Sequence, residues 1–112
     1  MALADYSAAP FYFFLEAHLG KSADAALALA EAFFRVAPTD KRKRMSEAEW
    51  ANSLKKFHRE AMEIRRRYSL GPFARASAAY QLQKRLLAAG FASDTVRKVV
   101  FSLVLSSFSN EG

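Results

Sequence analysis

The sequence has no cysteine, which excludes disulfides and thiolate metal sites and suits a reducing compartment. Its four glycines are so dispersed, at 20, 71, 90 and 112, that no phosphate-cradling loop can be drawn from them. Only two histidines occur, His18 and His58. They fall on different expected helices with no carboxylate or second histidine at ligand spacing, so each reads as a solitary, partly exposed side chain. Asp5, Asp24, Asp40 and Asp94 are scattered at expected caps and loops, where short acids serve local hydrogen bonds. Long hydrophobic runs are missing too. Val99 to Phe108, interrupted by serines, falls far short of the roughly 20 residues that cross a bilayer. No basic leader precedes the apolar run near the N-terminus, where Glu16 and His18 intrude, so no signal peptide is expected. These absences describe a soluble cytoplasmic protein that is not an enzyme, with no cofactor, no metal site and no membrane contact.

What is present is ample core material and an excess of positive charge. The 112 residues are 52% hydrophobic and include ten Phe and one Trp, enough for a single domain. Seventeen Lys and Arg against 11 Asp and Glu leave a formal charge of +6, which favours an anionic partner. The expected layout is a flexible lead-in over 1–9, one helical domain over 10–108, and a flexible tail over 109–112.

The chain is organised around residues 46–69. Ser46 stands three residues before Glu49, the spacing of a capping box that starts a helix. Trp50, Leu54, Phe57, Ala61, Ile64 and Tyr68 then recur every three or four residues and form one apolar stripe. Lys55, Lys56, Arg59, Arg65, Arg66 and Arg67 occupy or flank the remaining surface, with Glu47, Glu49, Glu60 and Glu63 among them. A helix of this pattern buries one side and shows a mostly basic one.

Four further helices are expected around it. Pro10 suits the first turn of an aromatic helix through Phe11 to Leu19, with Gly20 as a left-handed C-terminal cap. Ser22 then caps an alanine-rich helix running to about Val36, stopped by Pro38. The polar connection from Ala37 to Met45 carries the basic run Lys41-Arg42-Lys43-Arg44. After the organising helix, Gly71 and Pro72 force a break, and Phe73 to Ala89 form the fourth helix, ended by Gly90. Ser93 caps the last one, with Asp94 at its positive end. The β-branched run Val-Val-Phe-Ser-Leu-Val-Leu also suits a strand, but no partner strand exists to satisfy its backbone. The fold class is therefore all-α, a compact five-helix bundle with one long central helix at about 46–69.

The last two helices have the outline of a helix-turn-helix, but the candidate recognition helix offers only Thr95, Arg97 and Lys98 before turning apolar. The better nucleic-acid surface is Lys41, Arg42, Lys43, Arg44, Lys55, Lys56, Arg59, Arg65, Arg66 and Arg67, which would contact phosphates without reading bases. Residues 82–103, LQKRLLAAGFASDTVRKVVFSL, carry leucines, a Gly-Phe turn and spaced aliphatics at Leu82, Leu86, Gly90, Phe91, Val96, Val99, Val100 and Leu103. In this the segment resembles one helical repeat of the RecX regulators of recombinase filaments. That resemblance implies a helical architecture and a nucleoprotein partner. Two functions stay open. The first is non-catalytic binding of nucleic acid or a nucleoprotein complex through the basic loop and helix face. The alternative is a protein-interaction module or regulatory subunit, possible as a homodimer, that uses surplus apolar surface at Phe101, Leu105 and Phe108.

Overall fold

Alanine dominates the first helix, and small residues let it lie close against its neighbours. The computed structural model describes residues 20–37 and 45–109. Helix α1 is helical over 20–36 and buries Ala25, Ala26, Leu29, Ala30, Ala32 and Phe33. It does not begin where the caps suggested. Gly20 already lies inside the helix and lacks a positive φ, and Ser22 is wholly buried rather than a cap. The reason is tertiary: the Ser22 hydroxyl donates to Ser77 at 3.0 Å and accepts from the Gln81 amide at 3.1 Å. The expected aromatic helix over 11–19, the 1–9 lead-in and the Lys41 to Arg44 run lie outside the described residues.

Helix α2, Glu47–Arg67, is the long rod the stripe required. The Ser46 hydroxyl accepts from the Glu49 N–H at 3.2 Å, and acids in the first turn and arginines in the last complement the helix dipole. Phe57, Ala61 and Ile64 are buried, with Trp50, Leu54 and Tyr68 packed against them. Ser69 ends the rod in the left-handed region at φ 51°. The Leu70 N–H then reaches back to Arg65 O at 3.0 Å and drops Leu70 into the core.

Helix α3, Pro72–Ala88, ends in the same way. Gly90 takes φ 97°, the Phe91 N–H bonds Leu86 O at 3.2 Å, and Phe91 is buried. Helix α4, Ser93–Leu105, starts from Ala92, whose backbone occupies the cap position, so Ser93 is a first-turn residue and makes no side-chain cap. Its chain leaves through a Phe108 N–H to Leu103 O bond at 2.8 Å.

Four helices therefore account for the described residues, rather than five, and no strand occurs among them. They close on one core in which Leu29, Phe33, Phe57, Leu82, Leu86, Val96, Val99 and Leu103 are almost entirely hidden. Phe33 sits at its centre, edge-on to Phe57 at 5.8 Å and to Phe91 at 5.2 Å. Burying each such side chain stabilises the fold by about 1.5–3 kcal/mol. Polar ties fix the helices laterally: Arg35 pairs with Glu60 at 3.0 Å, and the Ser53 hydroxyl donates to the carbonyl of Val36 at 3.1 Å.

Candidate interaction surfaces

Three regions outside the core carry chemistry: the solvent face of α2, a seam between α2 and the end of α4, and the outer face of α3 and α4.

On α2 the 3.6-residue period sets Lys55, Arg59 and Arg66 in one exposed row, about 16 Å from end to end. Lys56 and Arg67 flank it and are also exposed. Arg65 does not belong to this face. Its guanidinium donates to Ser107 O at 2.9 Å and Ser109 O at 3.1 Å, and loss of solvent together with the nearby Arg75 charge lowers its pKa. It acts as a strap over the exit of α4. The row is also interrupted. Exposed Glu63 lies one turn from both Arg59 and Arg67, and Glu60, beside them, is engaged by Arg35.

The seam centres on His58, which sequence reasoning left solitary. Its Nε2 is 2.6 Å from Ser102 Oγ and its Nδ1 is 2.8 Å from Ser107 Oγ. The Ser107 hydroxyl donates to His58 O at 3.2 Å, so its oxygen is left to accept from Nδ1–H, and Nε2 accepts the Ser102 proton. Burial lowers the His58 pKa, which favours this neutral ring. Nδ1 faces a hydroxyl where an oriented catalytic base would face a carboxylate, and no cluster of three or more metal-ligating side chains occurs among the described residues. The arrangement clips α4 to α2. The recurring serines at 102, 106 and 107 were its only signal in the sequence.

The outer face of α3 and α4 is apolar. Phe101 and Leu105 are each 64% exposed, and Val104 and Leu87 are more than 40% exposed. Leu87, Val96, Val100, Phe101 and Val104, with Gln83, Ser93 and Arg97, line a groove of about 250 Å³. Phe108 is not part of this face. Helix α4 stops at Leu105, and the turn that follows swings Phe108 into the core, so helical spacing cannot be extended from Phe101 and Leu105 to it. The α3 side of the face was not anticipated from sequence. Its signal was the seven-residue spacing of Phe73, Tyr80 and Leu87, which draws a nearly straight exposed stripe along a helix.

Most of the spaced apolar residues of 82–103 are packing positions of the α3–α4 pair. Leu82, Leu86, Phe91, Val96, Val99 and Leu103 are all buried. No helix among the described residues is long and apolar enough to cross a membrane. Comparison with protein-family models, with curated proteins and with solved structures returned no match.

Proposed function

We propose that this chain is a protein-interaction module that docks a helical segment of a partner on the outer face of α3 and α4. The observation that carries the reading is the exposure of Phe101 and Leu105 beside an apolar groove, on helices whose opposite sides already supply the core. Large apolar side chains gathered on one face mark an interaction site, whereas scattered ones do not. Helix-in-groove docking needs such a lined channel and anchor residues at its edge.

Nucleic-acid binding is the second reading. Lys55, Arg59 and Arg66 form an exposed cationic row, and the RecX resemblance points the same way. It ranks below the first because Arg65 is committed to the α4 exit and Glu63 interrupts the row.

One titration of the isotope-labelled protein separates the two. A neutral amphipathic peptide of about 18 residues, long enough to fold as a helix, is added to one sample, and a short DNA duplex to another. Docking predicts amide shifts at Leu87, Arg97, Phe101 and Val104 with the peptide, abolished by Phe101→Ser. Shifts only at Lys55, Arg59 and Arg66, and only with DNA, would overturn the first reading in favour of the second.

A further inference from the structure

We infer that the segment received by the α3–α4 groove is an acidic amphipathic helix, an inference that rests on the docking reading and goes on to name the partner's chemistry. Charge is unevenly divided in this protein. From Pro72 to Leu105 the exposed bases are Lys84, Arg85, Arg97 and Lys98, the last lying over Trp50 of α2, with Arg75 buried and Asp94 the single acid, whereas Asp24, Glu31, Glu47, Glu49, Glu60 and Glu63 all lie on α1 and α2. The apolar face and the acid-poor half of the molecule coincide.

Arg97 is the one charged side chain lining the groove, and it comes from α4. Lys84 follows the groove-lining Gln83 on α3, is exposed, and lies with Nζ 5.6 Å from the centre of the Tyr80 ring. The channel thus has an apolar floor with one cation, Arg97, on its α4 wall, and a second, Lys84, exposed next to the α3 residue that lines it. An occupant that sets leucine or phenylalanine into the floor brings the borders of its own stripe against Arg97 and Lys84, and carboxylates there gain from partly desolvated pairing.

The same geometry disfavours a second copy of this chain. A twofold dimer joins identical patches, so Arg97 and Lys84 of each copy would be carried into an interface already holding the like charges of the other. Positive residues across such a contact repel, and nothing acidic on this face except Asp94 offsets them.

The experiment uses two peptides of about 18 residues that share one leucine stripe and differ only in carrying Glu or Lys on the flanks. Binding is followed by amide shifts and by anisotropy of the labelled peptide. The Glu peptide should bind about ten-fold or more tighter at low salt, with the advantage shrinking as salt rises from about 50 to 500 mM. The double variant Arg97→Glu with Lys84→Glu should reverse the order. Lys55→Glu with Arg59→Glu and Arg66→Glu, on α2 and outside the groove lining, should leave it unchanged. Equal binding of both peptides in the groove would sink the acidic partner and leave docking standing, whereas no groove shifts with either peptide would sink docking itself. A reversal produced equally by the α2 variant would show that overall charge alone makes the choice, and that outcome also overturns the inference.

Discussion

Nε2 of His58 lies 2.6 Å from the hydroxyl of Ser102, joining the middle of α2 to the last turn of α4 through a half-buried ring. In the neutral ring, with Nδ1–H donated to Ser107, Nε2 is free to accept from the Ser102 hydroxyl. Protonation would turn both ring nitrogens into donors and place a charge in a site poor in water, next to the chain that Arg65 also grips.

A pH dependence follows, and its sign is fixed by the lowered pKa of His58. The unfolded chain takes up the proton near the ordinary histidine value of about 6.5, before the folded one does. Stability is therefore unaffected by this group above that value, and it falls as pH drops from there towards the lower folded pKa. Urea unfolding between about pH 7.5 and pH 5, above the range of ordinary carboxylates, should show this decline. His58→Gln should flatten it, and an unchanged slope in that variant would remove His58 as its origin.

Arg65 and Arg66 are neighbours in sequence with opposite duties. Arg65→Met keeps the stem but strands the carbonyls of Ser107 and Ser109, at a cost of about 1–3 kcal/mol. Arg66→Met, on the exposed row, should change stability by no more than about 0.5 kcal/mol. Denaturant midpoints of the two variants decide the matter, and equal midpoints would count against the strap. A practical consequence concerns phosphate contacts: a charge-reversal scan should use Lys55, Arg59 and Arg66, since reversing Arg65 would disturb the fold together with any binding.

Phe101 and Phe108 were read from the sequence as members of one face, and the structure separates them. Phe108→Ala should cost about 3–5 kcal/mol, as expected for an emptied aromatic core position. Phe101→Ala should lie within about 0.5 kcal/mol of the parent and should weaken peptide docking instead. Comparable losses of stability in both would place Phe101 in the core and remove the proposed docking surface.

The contrast marks where the sequence was legible. The rod from Ser46 to Tyr68 could be read because a cap, an unbroken stripe and a charge gradient along the helix all agreed, and each is a local property. The same holds for the α3–α4 pair, whose buried leucines and valines sit at regular spacing around the glycine turn. Gly20, Ser22 and Ser93 carried the residue types of helix ends, but only contacts with another helix decide whether such residues stop or continue a turn. Ser22 is held by Ser77 and Gln81, more than fifty residues away in sequence. The His58 seam and the Arg65 strap were hidden for the same reason: both join α2 to serines some forty positions later.

The link between α2 and α3 provides the last test. Gly71 stands next to Pro72 at the expected break, yet its φ of −77° and ψ of 179° are ordinary extended backbone, and a Cβ there would meet nothing within 4 Å. The left-handed position belongs to Ser69, at φ 51°. A side chain pays roughly 1–2 kcal/mol for that conformation, so Ser69→Gly should recover part of it, offset by the greater entropy glycine gives the unfolded chain. Gly71→Ser restricts the unfolded chain and places a capping hydroxyl ahead of α3, in backbone geometry close to that of Ser46. The double exchange leaves the composition unchanged and should raise stability by roughly 1 kcal/mol, or a few degrees in Tm. A loss of stability in Gly71→Ser alone would mean that the extended geometry at this cap is glycine-dependent after all. The turn between the helices would then have to be redrawn with its special position at 71 rather than 69.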